Sequence, residues 1–165
     1  MKTCLNRLQD SYPGQYELVG MPEFIALAQK AKLTGKYPLE FYPHRGGENG
    51  LEGPYLWQQK NTTTGGKEER QHPWRGTTGT GFFTYKFNVA PARQASLNVD
   101  LSGDNFRVDV SGDNLTWTMG LIQGSSSQSV TKTANLTPYL NARGSVYLRF
   151  SGDVRVYHVK VNYGP

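Results

Sequence analysis

The sequence predicts a mainly β protein, an antiparallel jelly-roll β-sandwich over residues 36–165 with a short α-β-α appendage over residues 1–35. Three observations carry that reading. The chain holds 19 Gly, 9 Pro and 12% aromatic residues among many Thr, Ser and Asn, the balance of short strands joined by many turns. Leu97, Val99 and Leu101 alternate with Asn98 and Asp100, and Val146, Leu148 and Phe150 with Tyr147 and Arg149, so each run has one dry face. Between such runs recur Ser102-Gly103-Asp104-Asn105, Ser111-Gly112-Asp113-Asn114 and Ser151-Gly152-Asp153, whose residues tolerate positive φ or close side-chain turns.

Taken in order, Leu5 and Leu8 suit a short helix stopped by Tyr12-Pro13-Gly14, and Tyr16 to Val19 reads as a strand. A second helix runs from Met21 to Ala31, with Pro22 and Glu23 in its first turn, Phe24, Leu27 and Ala28 on one face, and Lys30 at its end. So small a unit buries too little to stand alone; it docks on the sandwich or ends a domain lying outside this chain. Leu39 to Tyr42 and Gly53 to Gln58 are opening strands around the glycine-rich stretch His44 to Gly50, and a polar loop follows from Asn61 to Gln71. Four clearer strands span Gly81 to Val89, Ala95 to Leu101, Asn105 to Ser111 and Gly144 to Phe150, with a long return from Gly120 to Asn141. The last strand, Val154 to Asn162, reads as apolar on both sides.

Charge and cysteine content exclude several classes. The net charge of +5 comes from basic residues scattered along the chain, whereas a nucleic-acid footprint is clustered. The single cysteine, Cys4, forms no internal disulfide and lies outside the sandwich, where it makes a poor candidate nucleophile. No stretch approaches the ~20 apolar residues of a membrane span, and Met1 to Asp10 lacks the apolar core of a signal peptide. Neither nucleic acid nor membrane is an expected partner, and a monomer is expected.

The run from Asn105 to Trp117, followed by Ala134-Asn135-Leu136-Thr137-Pro138-Tyr139-Leu140 and then Val146-Tyr147-Leu148-Arg149-Phe150, resembles galactose-binding-like β-sandwiches. In those domains a strand ends in serine, a turn and a tryptophan follow, and the later segments come in this order. Asn114 stands here where a glycine is usual, a substitution that αL geometry accepts. The stretch Leu5 to Ala31 also looks like the closing strand and helix of a glycoside-hydrolase-type barrel, as in the hydrolases named for a GxGYxYP signature, although that signature is absent. The resemblance implies a carbohydrate-binding-module-like piece from the C-terminus of a carbohydrate-active enzyme, secreted or periplasmic as part of a larger protein.

Carbohydrate is then the expected ligand and a neighbouring catalytic domain the expected partner. Aromatic rings suit the task, since a pyranose offers an apolar C–H face while its hydroxyls seek amide and charged groups. The candidate cluster is Trp74 with Trp57, Arg75, His72 and Tyr55, built around a stiff Pro73-Trp74-Arg75 loop, against the alternative that these rings only cover the core edge. Trp117 is expected to pack locally after its turn. His44, His72 and His158 show no metal-ligand spacing, and His158 reads as a satisfied sheet histidine. A structural calcium, if present, would use Glu48, Glu52 and Asp153 from turns. No catalytic pair of carboxylates, nucleophile elbow or phosphate loop stands out. The expected function is a non-catalytic binding or accessory module; the alternatives are a domain that braces a catalytic barrel, and a small polysaccharide-degrading enzyme, to which the basic balance gives its only support.

Overall fold

The computed structural model describes residues 39–43, 52, 55–66 and 73–164. The expected α-β-α appendage, with Cys4, lies outside the described residues. Seven antiparallel strands follow in chain order: β1 Leu39–Phe41, β2 Leu56–Gly65, β3 Trp74–Asn88, β4 Gln94–Ser111, β5 Thr118–Asn135, β6 Ser145–Ser151 and β7 Val154–Gly164, with a 3₁₀ turn Thr137–Tyr139 before β6. They are hydrogen-bonded as one sheet folded over on itself, because β3 and β4 are each shared between two layers. β4 pairs with β7 from Gln94 to Ser102 and with β6 from Arg107 to Ser111; β3 pairs with β7 over Arg75 to Thr77 and with β6 over Phe82 to Asn88. One layer is thus β1, β7 and the first half of β4; the other is β2, β3, β6 and the second half of β4, with β5 running along the whole of β4.

The inward positions of both layers make one core. Leu97, Val99 and Leu101 face Val146, Leu148 and Phe150, all fully buried. Phe83 stacks on Phe150 with centroids 5.2 Å apart, and the Tyr85 ring meets Phe150 and Phe41 edge-on at 5.6 and 4.8 Å. Each such side chain contributes about 2 kcal/mol by leaving water.

Four expectations change. The segment Ser102 to Asn105 is no hairpin turn: the two expected strands on either side of it are one strand, β4, bent at Gly103 (φ 137°) and Asn105 (φ 56°), where the β5 register also slips. Such a bulged corner lets one strand pass between layers. The long return from Gly120 is mostly β5, an edge strand whose Ser, Thr and Gln side chains are largely exposed and so read as loop. The expected loop from Asn61 is strand as far as Gly65, and the Pro-Trp-Arg loop is the start of β3. β7 is apolar on its inner side alone, with Val154, Val156, Val159 and Val161 buried and Arg155 exposed, and a bulge opposite Asp100 and Leu101 resets the alternation. The other two turns form as expected. Asn114 sits at φ 61° in the first, with the Asp113 carboxylate accepting the Leu115 and Thr116 N–H groups at 2.8 Å each, and Gly152 takes φ 83° in the second.

A Cβ at residue 103 would lie 1.8 Å from the Asp153 carbonyl oxygen, in addition to the positive φ, whereas Gly79 (φ 60°) has open space around it. Gly103→Ala is therefore expected to destabilise by more than about 2 kcal/mol and Gly79→Ala by about 1 kcal/mol. Urea unfolding of the two variants side by side checks the difference.

Candidate functional site

The side chains singled out from the sequence fall in three separate places. Tyr55 is in the core, stacked between Phe41 and Phe87 at 5.2 Å from each, and burial, with Tyr163 adding to it, pushes its phenol up to about 12. Arg75 points inward from β3 and donates to both oxygens of Glu52, through Nε at 2.9 Å to each and Nη2 at 2.7 Å; the Tyr85 hydroxyl donates to the same carboxylate at 2.7 Å. Glu52 is buried, so these donors replace the water it lost. Trp74 points outward: its ring lies over Gly65 and Gly76, which leave no room for a side chain, and the Arg155 guanidinium sits 4.5 Å from its centroid. Trp57 lies near the other end of β2 from Gly65, roughly 25 Å away at the usual strand rise. The two tryptophans are not brought together. His72, His44 and Glu48 lie outside the described residues.

Of the three residues expected to hold a calcium, Glu52 and Asp153 are described. Both Glu52 oxygens are held by Arg75 and Tyr85, Asp153 is exposed in the β6–β7 turn, and among the described residues no group of His, Cys, Asp and Glu could hold a metal ion. His158 is a satisfied sheet histidine as expected: Nε2 is 2.6 Å from Glu40 Oε1, Nδ1 is 3.5 Å from Asp100 Oδ2, and Tyr42 stacks on the ring at 4.5 Å.

The outer face of the β2-β3-β6-β4-β5 layer gathers the remaining aromatic and charged side chains. Residues directly opposite on neighbouring strands share a face, so the registers define rows. Lys60, Phe82, Ser151, Arg107 and Gln123 form one; Gln58, Thr84, Arg149 and Asp109 the next; Lys86, Tyr147 and Ser111 a third. A β2 bulge between Leu56 and Gln58 turns Trp57 outward beside the third row, where its ring meets Tyr147 edge-on at 5.9 Å. The Lys86 ammonium lies 4.5 Å from the Trp57 centroid and 5.4 Å from that of Tyr147, and Trp57 remains 51% exposed. Two rings and a cation thereby fix one another while half of the indole stays in water.

The second row is held by Asp109. Its carboxylate is fully buried and takes Arg149 Nη2 at 3.2 Å and the Gly120 N–H at 2.9 Å, and Arg107 Nε lies 3.1 Å from its other side without the alignment of a hydrogen bond. Arg149 in turn spreads over the Trp117 ring at 4.1 Å, so the tryptophan after the turn is the guanidinium's platform. Beside the first row lies an open groove of about 670 Å³, lined by Phe82, Arg107, Gln123, Arg149 and Ser151 together with Gly79-Thr80-Gly81. Sequence reading missed Tyr147, Lys86, Arg107, Asp109 and Arg149 as a group. The available signal was the outward set of β6 and β4: Tyr, Arg, Arg and Asp where a solvent face is usually Ser, Thr or Lys.

No protein-family model matches the sequence, and no curated protein matches it. Among solved structures, the chain is similar to the Podospora anserina GH26-CBM35 β-(1,4)-mannanase, with a TM-score of 0.50 and 11% identity over 78% of this chain and 28% of the mannanase. It is also similar to a point mutant of the family 29 carbohydrate-binding module CBM29-2, with a TM-score of 0.50 and 15% identity over 77% of this chain and 92% of the module. This chain thus spans less than a third of the mannanase and nearly all of the isolated module. The fold is that of the carbohydrate-binding-module β-sandwiches, as the sequence resemblance implied.

Tyr55 and Tyr85 both have phenols raised by burial, Tyr85 further by the Glu52 carboxylate. Raised folded values keep their stabilising contribution in full below the unfolded value near 10 and lose it as the pH climbs toward 12 and beyond. Urea midpoints are expected to hold up to about pH 9.5 and fall steeply above pH 10, with Tyr55→Phe removing about one proton's worth of that slope. An unchanged slope in Tyr55→Phe contradicts the assignment.

Proposed function

We propose that this chain is a non-catalytic carbohydrate-binding module that serves a glycoside hydrolase, and that its ligand lies on the outer face of the β2-β3-β6-β4-β5 layer. The observation that carries the reading is Trp57: a half-exposed indole, held by Tyr147 and Lys86, on a sheet face that also presents Gln58, Gln123, Arg107 and Arg149 as hydrogen-bonding groups. A sugar ring stacked on the indole buries its C–H face, and the flanking amides and guanidinium groups receive its hydroxyls. The rows offer one carboxylate, Asp109, which is buried and committed to its arginines; this favours binding over acid-base hydrolysis. The likeness to a sandwich that forms part of a mannanase supports a place beside a catalytic domain, and a secreted or periplasmic location belongs to the same proposal. The groove beside Phe82 extends the face toward further sugar units.

Affinity electrophoresis of the wild type beside Trp57→Ala and Trp74→Ala, over a panel of polysaccharides, tests the reading. Trp57→Ala is expected to weaken binding about tenfold or more, the loss of roughly 1.4 kcal/mol of stacking. Trp74→Ala is expected to bind as the wild type does. No retardation of the wild type on any glycan contradicts the module reading, and loss in Trp74→Ala alone moves the site to the other layer.

A further inference from the structure

Charge on the proposed binding face is strongly one-sided. Its rows hold four basic side chains, Lys60, Lys86, Arg107 and Arg149, against the single carboxylate of Asp109. Asp109 is fully buried beneath the two arginines, whose side chains keep 42% and 26% of their surface exposed, so its negative charge is spent inside the sheet while theirs reaches solvent. Neither lysine makes an ion pair with a described residue. Arg107 and Arg149 both line the groove. Arg107 and Arg149 come from adjacent strands about 5 Å apart, and like charges gathered on one sheet face cost stability. A surface built only to stack neutral sugars gains nothing from that cost, since amides and hydroxyls serve a neutral hydroxyl equally well.

Resting on the carbohydrate-binding reading, we infer that the ligand is an anionic polysaccharide, its carboxylate or sulfate groups received by Arg107 and Arg149 in the groove and by Lys60 and Lys86 along β2 and β3, while Trp57 stacks a neighbouring ring. Carboxylates and sulfate half-esters both accept paired N–H groups from guanidinium, the shared chemistry of the two sources. Arg149 is the anchored member, held by Asp109 and Trp117; Arg107 has a buried Nε outside hydrogen-bonding alignment, keeps 42% of its side chain exposed and lines the groove.

The test is isothermal titration of the full chain with polygalacturonate, alginate and glucuronoxylan, each beside its carboxyl-reduced neutral twin, and with a sulfated galactan. At least one anionic polymer is expected to bind about tenfold or more tightly than its neutral counterpart, and to weaken markedly between about 0.05 and 0.5 M salt. Tight binding of the uronates identifies a carboxylate ligand and of the galactan a sulfate. Arg107→Gln, which leaves Arg149 on Asp109, and the exposed Lys60→Gln are each expected to weaken anionic binding about threefold or more, with Lys160→Gln on the opposite layer unchanged. Neutral twins that bind as tightly, with Trp57→Ala still losing them, overturn the anionic inference and leave the module reading standing. Equal loss in Lys160→Gln, or equal binding of polyglutamate, overturns it in favour of overall charge. Failure of every polymer to bind removes both readings.

Discussion

The bend of β4 at Gly103 is the constraint on which the rest of the structure depends. One strand supplies Leu97, Val99 and Leu101 to one layer and Phe106, Val108 and Val110 to the other, so the core closes only if the chain turns between them without leaving the sheet. Gly103 allows the turn because its φ of 137° and its contact with the Asp153 carbonyl leave no place for a side chain. The same bend fixes which residues of the second half point outward. Arg107 and Asp109 face solvent-side neighbours on β6 and β5 because β4 re-enters the layer in the register that pairs Arg107 with Ser151 and Asp109 with Arg149. The candidate site is therefore a consequence of a corner that lies outside it.

Two buried carboxylates then divide the labour of positioning. Glu52, bound by Arg75 and Tyr85, lies inside and ties the residues before β2 to both the start and the later part of β3. Asp109 lies under the outer face and orients Arg149 over Trp117. Each repays its desolvation by charge-assisted hydrogen bonds in a protected setting, and each would leave an uncompensated charge if its arginine were removed. What remains exposed after these pairings is aromatic surface and unspent positive charge, the combination from which the ligand class is inferred.

Much of this was readable in the chain, for identifiable reasons. Strands with strict alternation, such as Val146 to Phe150, announced themselves because their inner neighbours are all apolar, and the Asn114 turn did so because few residues accept its geometry. β5 was hidden since an edge strand beside solvent needs little apolar surface, and Gly124 to Gln128 has the composition of a loop. The β4 corner was hidden because Ser-Gly-Asp-Asn serves equally as a hairpin turn and as a bulge. The site was half legible: Trp57 was named, but its companions Tyr147, Lys86 and Arg149 arrive from strands far away in sequence, through registers that no local pattern encodes. In the sequence Trp74 and Trp57 look like one cluster because the polar composition from Asn61 onward suits a loop free to fold back, whereas β2 continues to Gly65.

The most direct test of the central claim, that the β2-β3-β6-β4-β5 face is the ligand surface, is a ¹H–¹⁵N correlation titration of the assigned protein with an oligosaccharide of the best-bound polymer. The largest shifts are expected on the Trp57 and Trp117 indole N–H groups and on the amides of Gly81, Arg107 and Gln123, with Trp74 and the β1–β7 amides unmoved. Shifts concentrated on Trp74, Arg155 and Tyr157, with the Trp57 face silent, would contradict it.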